Sequence, residues 1–236
     1  MKFKTICNCF YFMLLAVSLP ASAQTAGLQN PFSPDLALDP ENSGVVEVVA
    51  ISDMPTVTDA QSAVLQTREQ QISKGWVEVN EKRARVVEDY VSDARNKLNA
   101  DMEAVRESIH SQPADVSGTF LEKASFVGAF PVGGFVDGRW TGVVRVFESS
   151  DLGRVVLEEY DYKRAGSHIM IPSEVVDSYA NGYPVLYAVL RAGDNHAHTD
   201  ITWFTDNKQF RMRNGNAILK SDMSYESVEQ AINSLR

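Results

Sequence analysis

The stretch of this sequence whose residue types most suggest chemistry is residues 194–200, DNHAHTD. Alternate side chains of a β-strand lie on the same face, so we expect His196, His198 and Asp200 to point to one side. Two imidazoles and a carboxylate are ligands that zinc accepts, and a further ligand from His168 or from an acid on a neighbouring strand would complete the set. The pattern predicts a metal site, while an exposed polar loop leading into a strand explains the same residues equally simply.

Three carboxylates lie close together at Glu158, Glu159 and Asp161. Paired carboxylates act as acid and base when their environments separate their pKa values. The flanking tyrosines and the strand-like alternation favour a simpler interpretation, in which these acids form the solvated face of an amphipathic strand. The same interpretation applies to the basic residues of a later strand, which are Lys208, Arg211 and Arg213.

Other familiar catalytic patterns do not occur in the sequence. There is no G-x-S-x-G elbow, no H-E-x-x-H motif and no glycine-rich phosphate loop that leads into a helix. Both cysteines, Cys7 and Cys9, lie in the first nine residues, within a segment expected to be removed, so the mature chain would carry no thiol. We therefore expect a function without catalysis and without a cofactor.

Residues 1–23 have the composition of a secretory signal peptide. Lys2 and Lys4 precede the apolar run 10–19, and Ala21 and Ala23 supply a small-residue cleavage site. The run is shorter than the roughly 20 residues that a membrane-spanning helix needs, so no membrane span is expected after cleavage. We expect an exported protein, periplasmic or secreted. Its formal net charge of −9 argues against nucleic acid as a partner.

The elements that must position these residues begin after the signal peptide. Residues 24–57 contain four prolines and are expected to form an extended tether, with one edge strand at 45–51. A charged helical segment is predicted over 58–112, starting at Thr58 and interrupted or capped at Gly75.

From residue 76 to residue 111 the sequence has no proline or glycine, and apolar residues recur every three or four positions. This predicts a helix with one apolar stripe. The stripe either folds back on the 58–74 helix or the sheet, or it contacts a protein partner or a second copy of the chain. The residues proposed for such contacts are Val87, Val91, Leu98, Met102, Val105 and Ile109.

Residues 116–236 alternate apolar runs with turn sequences such as Asp137-Gly138 and Asn214-Gly215. A final helix, capped at Ser224, presents one apolar face. The expected class is α+β: an N-terminal helical segment, then an antiparallel meander sheet of about six strands with a packed C-terminal helix.

Together these features predict a non-catalytic exported envelope protein, an interaction or assembly accessory in a setting such as secretion or conjugation. One alternative is a metal-dependent hydrolase that uses zinc at the His-x-His site. Another is a periplasmic carrier that holds a small ligand between sheet and helix.

Overall fold

The computed structural model describes residues 44–54, 58–85, 87–88, 102–150, 152–193, 196–216 and 223–235. The predicted signal peptide and the first part of the predicted tether lie outside these ranges, as do Val91 and Leu98. In the part of the chain that is described, no helix is both long and apolar enough to cross a membrane.

The described residues form a mixed structure of strands and short helices. The strands are β1 Val45–Val49, β2 Val77–Glu78, β3 Ser125–Val136, β4 Arg139–Ser149, β5 Gly153–Asp161, β6 His168–Pro172, β7 Ser178–Ala180, β8 Tyr183–Ala192, β9 His196–Phe204 and β10 Lys208–Asn214. The α-helices are α1 Thr58–Lys74, α2 Glu81–Ala84, α3 Met102–Ser108 and α4 Met223–Ser234. Short 3-10 turns cover Ile51–Asp53, Phe120–Glu122 and Ser173–Val175.

Eight strands build one sheet, in which β2, β8, β9, β10, β5, β4 and β3 follow one another and β7 adds to the outer edge of β8. All pairs are antiparallel except β2 with β8. The sheet consists of two hairpin series, β3–β5 and β8–β10, joined where β10 pairs with β5. These observations support the α+β class, whereas the strand order is not that of the simple meander expected from the turns.

Strand β6 leaves the main sheet and pairs in parallel with β1. In this second layer Ile169 and Ile171 are buried against Leu186 and Phe204 of the main sheet. The layer uses residues 45–49, which belong to the segment expected to be a tether. Val46 and Val48 are partly buried against this cluster, and this packing together with the pairing to β6 favours a strand here.

The two faces of the main sheet carry different cover. One face, here called the α2 face, lies under α2 and the β1–β6 layer and includes His198. The opposite face, here called the α4 face, holds the largest apolar cluster, in which Trp203 and Phe210 stack with ring centroids 5.1 Å apart. Helix α4 buries Val228 and Ile232 in that cluster, and Leu235 directly after the helix joins them, as the predicted apolar face requires.

The prediction of a single helix over residues 76–111 is wrong at the beginning of that range. Val77 and Glu78 form strand β2, and α2 starts only after Asn80, whose side chain accepts a hydrogen bond from the Arg83 N–H at 3.0 Å. Val77 is buried beside Ala188 and Leu190. Pairing with the edge of β8 and a strong N-cap at Asn80 together override the local helical preference.

Candidate functional site

The residues of the predicted metal site lie on β9, and all three point to the α2 face. His196 Nδ1 is 3.1 Å from a carboxylate oxygen of Glu81. His198 Nδ1 lies 3.0 Å from the carbonyl oxygen of Ala84, and because a carbonyl only accepts, this nitrogen is the donor. The two histidines therefore bind α2 to the sheet.

His198 is almost completely buried, with 1% of its surface exposed. Burial lowers the pKa of its imidazole, and the nearby Asp200 carboxylate only partly opposes that shift. Its Nε2 atom is buried and has no hydrogen-bond partner among the described residues. A neutral imidazole that donates from Nδ1 satisfies this geometry best.

Asp200 is held by two arginines of β10. Arg211 Nε donates to its carboxylate at 2.8 Å, and Arg213 Nε lies 3.6 Å away. Burial acts to raise the pKa of Asp200, but the charge and hydrogen bonds of Arg211, and then the charge of Arg213, hold that pKa below its ordinary value. Arg213 also reaches Glu158 at 3.1 Å. These four residues form a continuous ionic network on the α2 face.

The proposed metal ligands thus share one face, as the alternation predicts, but each contacts a different protein group. His168, the suggested further ligand, lies on β6 and is 3.2 Å from Glu47. Among the described residues, no three His, Cys, Asp or Glu side chains converge in a way that would hold a metal ion.

A second ionic network occupies the α4 face. Glu159 is 2% exposed and accepts from Arg145 at 2.6 Å, from Lys208 at 3.2 Å and from the backbone N–H of Ala114 at 2.8 Å. The interpretation of Glu159 and Lys208 as members of solvated strand faces is therefore wrong. Both are buried because the chain around Ala114 folds over them.

The same chain segment is tied down at further points. The Ser111 hydroxyl donates to the carboxylate of Asp161, and Lys208 donates to the carbonyl of Gln112. The His110 N–H donates to the Trp140 carbonyl at 2.9 Å. Residues 109–114, which we call the strap, are thus fixed across β4, β5 and β10. Beneath the strap lies a void of about 10 Å³, which is about the size that one water needs.

The apolar stripe predicted to bind a partner is divided between the two faces. Val87 is buried on the α2 face with Val144 and Val156. Val105 and Ile109 are buried on the α4 face against Val143. Met102 is partly buried in that second cluster, and the two remaining stripe residues lie outside the described ranges. The described stripe residues therefore pack within their own monomer.

Helix α1 shows the opposite behaviour, because none of its described side chains is buried. It is attached through polar contacts. Gln71 accepts from the Val189 N–H at 3.3 Å, Gln70 accepts from the Glu78 N–H at 3.2 Å, and Arg68 pairs with Asp177 at 2.9 Å. Its outer surface exposes Leu65 at 44% and Ile72 at 72%.

Comparisons of this chain with protein-family models, with curated proteins and with solved structures found no match.

Sequence reasoning missed the ionic network around Glu159. A signal for it exists in the run VVRVF, where Arg145 interrupts an otherwise apolar strand. A long cation in such a position is rarely buried without a partner, so it indicates a carboxylate on a neighbouring strand. Which strand carries that carboxylate depends on the β4–β5 register, and the β5–β10 pairing that adds Lys208 joins residues far apart in the sequence.

Proposed function

We propose that this protein is a non-catalytic exported envelope protein that acts as an interaction or assembly accessory. The observation that supports this best is the exposure of Leu65 and Ile72 on α1. They lie seven residues apart, so they occupy one face of the helix. A helix gains most of its stability from packing an apolar face, and no described side chain of α1 is fully buried within the chain, although Ala63 and Val64 are half-buried.

The groups that suggested chemistry support the same proposal. His196 and His198 bind α2, and Asp200 is paired with arginines. Glu159 and Lys208 fix the strap. Each of these groups has a structural partner within the chain, and charges of this kind stabilise one arrangement of the segments that cover a sheet.

In this proposal the contact surface is the outer face of α1, in place of the stripe that begins at Val87. An apolar pair flanked by polar residues fits a second helix, contributed by a protein partner in the envelope or by a second copy of the chain. Export by the signal peptide at 1–23 would bring the protein to the periplasm or to the medium. Such a product would begin at Gln24, which N-terminal sequencing of the exported protein tests.

The test of the contact surface places a photo-reactive amino acid at Ser62, beside Leu65 on the outer face of α1, and irradiates cells that export the protein. We expect a crosslinked species that is lost when Ile72 is replaced by Glu. Tyr179→Glu is the matched control, because Tyr179 is similarly exposed, at 62%, but lies on β7. Absence of any crosslink at Ser62, or its equal loss in the control variant, would contradict the proposal.

The two alternative functions are tested in the same preparation. The hydrolase requires zinc at His196 and His198, so an unchanged zinc affinity in the His196→Ala, His198→Ala double variant would exclude that site. The carrier requires a cavity for a ligand of ordinary size, about 300 Å³ or more. The cleft between β7 and α4, in the described part of the chain, has a volume of only about 60 Å³. A cleft of this size gives the carrier hypothesis little support.

A further inference from the structure

The sequence contains two Asn-Gly pairs, Asn181-Gly182 and Asn214-Gly215, and the structure places them in very different surroundings. Only the first pair lies at the tip of a hairpin, between β7 and β8. Ala180 pairs with Tyr183 directly across that tip. Asn181 has a φ of 52° and Gly182 a φ of 85°, the left-handed values that a two-residue turn requires.

We propose that Asn181 is a site of spontaneous deamidation, and that Asn214 is protected from the same reaction. In this reaction the backbone nitrogen of Gly182 attacks the side-chain carbon Cγ of Asn181. A new N–C bond closes a five-membered succinimide ring and the bond from Cγ to the amide nitrogen breaks. The proton lost by the Gly182 nitrogen is taken up by the departing nitrogen, which leaves as ammonia. Water then opens the ring at either carbonyl, which yields aspartate or isoaspartate. No other reactant is needed.

The two groups that react at Asn181 are free to do so. Both residues of the pair are exposed. Within the described part of the chain, neither the Asn181 side chain nor the Gly182 N–H makes a hydrogen bond. A side chain added at Gly182 would meet no atom within 4 Å, so the turn has open space on that side of Gly182. Relaxation of one surface turn is enough to bring nitrogen and Cγ together.

The corresponding groups at Asn214 are restrained. Asn214 is only 1% exposed, and its Oδ1 accepts from the Asn216 N–H at 2.6 Å. The nitrogen that would attack belongs to Gly215, and it donates to the Arg154 carbonyl at 3.0 Å. Asn214 itself is paired with Val155 and with Thr199 on the two neighbouring strands. Reaction there requires β10 to separate locally from the sheet, which costs free energy.

Deamidation at Asn181 would change the molecule in two ways. It adds one negative charge beside the cleft between β7 and α4, whose rim already carries Glu229. The isoaspartate product also adds a methylene to the main chain of a two-residue turn, so the β7–β8 hairpin cannot keep its register without distortion.

The experiment incubates the folded protein at mildly alkaline pH and follows each Asn-Gly peptide by mass spectrometry, with ammonia release measured in parallel. We expect conversion at Asn181 to be at least about ten-fold faster than at Asn214, because only the second needs local opening. In urea the two rates should become similar. Equal rates in the folded protein, or faster conversion at Asn214, would overturn the proposal.

A matched variant, Asn181→Gly, removes the reactive amide and keeps a residue that accepts a positive φ. It should release ammonia more slowly than the original protein and should form no isoaspartate in the 178–183 peptide. If ammonia release from the folded variant is unchanged, the reactive residue is not Asn181.

Discussion

At the scale of the residue, the two ionic networks show how the same side-chain types acquire different properties on the two faces of one sheet. His198 and Asp200 lie under α2, where burial lowers the pKa of the histidine and arginines lower the pKa of the aspartate. Both shifts mean that the folded state holds fewer protons than the unfolded chain in an acidic solution. The free energy of unfolding should therefore rise with pH in two ranges. One lies below the ordinary pKa of histidine, 6.5, and the other lies below the ordinary pKa of aspartate, 3.8.

The first range belongs to His198. Below its ordinary value of 6.5 the unfolded chain takes up a proton that the folded protein does not, so stability falls as the pH drops through that value. We expect His198→Gln, which keeps a donor for the Ala84 carbonyl, to reduce the dependence of the unfolding free energy on pH between about 5 and 7. Urea unfolding at several pH values measures this. A pH dependence in the variant equal to that of the original protein would contradict the assignment to His198.

Glu159 allows a sharper energetic prediction. Replacing it by Ala leaves the Arg145 and Lys208 cations buried without their shared carboxylate, and breaking a buried ion pair in this way costs about 3–5 kcal/mol. Chemical unfolding measures the loss. Glu148→Ala is the control, because Glu148 is exposed and its 3.9 Å pair with Arg154 should contribute at most about 1 kcal/mol. A similar small loss at both positions would show that the network around Glu159 contributes little.

At the scale of the element, strand β3 is unusual because it is a twelve-residue edge strand with no charged side chain. Edge strands normally avoid pairing with other chains by carrying charges. Here register shifts occur between Phe126 and Gly128 and between Val132 and Phe135, and Pro131 lies between them. The two register shifts and the missing N–H of Pro131 interrupt the hydrogen-bonding edge of β3, so they can hinder pairing with another chain in place of charged side chains.

Pro131→Val should therefore restore an N–H donor to this edge between the two register shifts. We expect the variant to self-associate at concentrations where the original protein does not, which sedimentation or light scattering would detect. Pro131→Lys restores the same N–H but adds a charge, so it should remain dispersed. If the valine and lysine variants behave alike, the proline does not protect this edge by the mechanism proposed here.

The elements also show which parts of the fold the sequence can predict. Hairpins that close through local turns, such as β3–β4 at Asp137-Gly138, follow from turn chemistry and strand-like alternation. The β5–β10 and β1–β6 pairings do not, since residues far apart in sequence decide them. The helical period from residue 76 onward picked out Val87, Val105 and Ile109, which are buried, but these residues cover different faces of the sheet and do not form one stripe.

Within the candidate site the same limit applies. Alternation along β9 was sufficient to place His196, His198 and Asp200 on one side. It did not show that α2 would cover them, because α2 lies more than a hundred residues earlier in the chain. It also did not show that Arg211 would bind Asp200, because that contact depends on the register between β9 and β10. Burial of a charged residue is a tertiary property, and an alternating pattern of polar residues is equally compatible with a solvated face.

At the scale of the whole molecule, the described residues of 81–88 and 102–114 cover the two faces of the sheet. Val87 packs on the α2 face, while Val105, Ile109 and the strap pack on the α4 face. The charged helical segment predicted over 58–112 therefore supplies core residues to the sheet. In contrast, α1 is attached at the edge of β8 by hydrogen bonds of glutamine side chains and one ion pair.

This arrangement determines which fragments of the protein can be produced in folded form. A recombinant fragment that starts at residue 116, the predicted start of the sheet domain, would leave Glu159 and Lys208 uncovered. It would also remove Val87 from the α2 face and Val105 and Ile109 from the α4 face. We expect such a fragment to be recovered as insoluble material, whereas a fragment that starts at residue 76 should fold and show cooperative unfolding. If the shorter fragment is soluble and unfolds cooperatively, the sheet does not need the residues between 76 and 115 in order to fold.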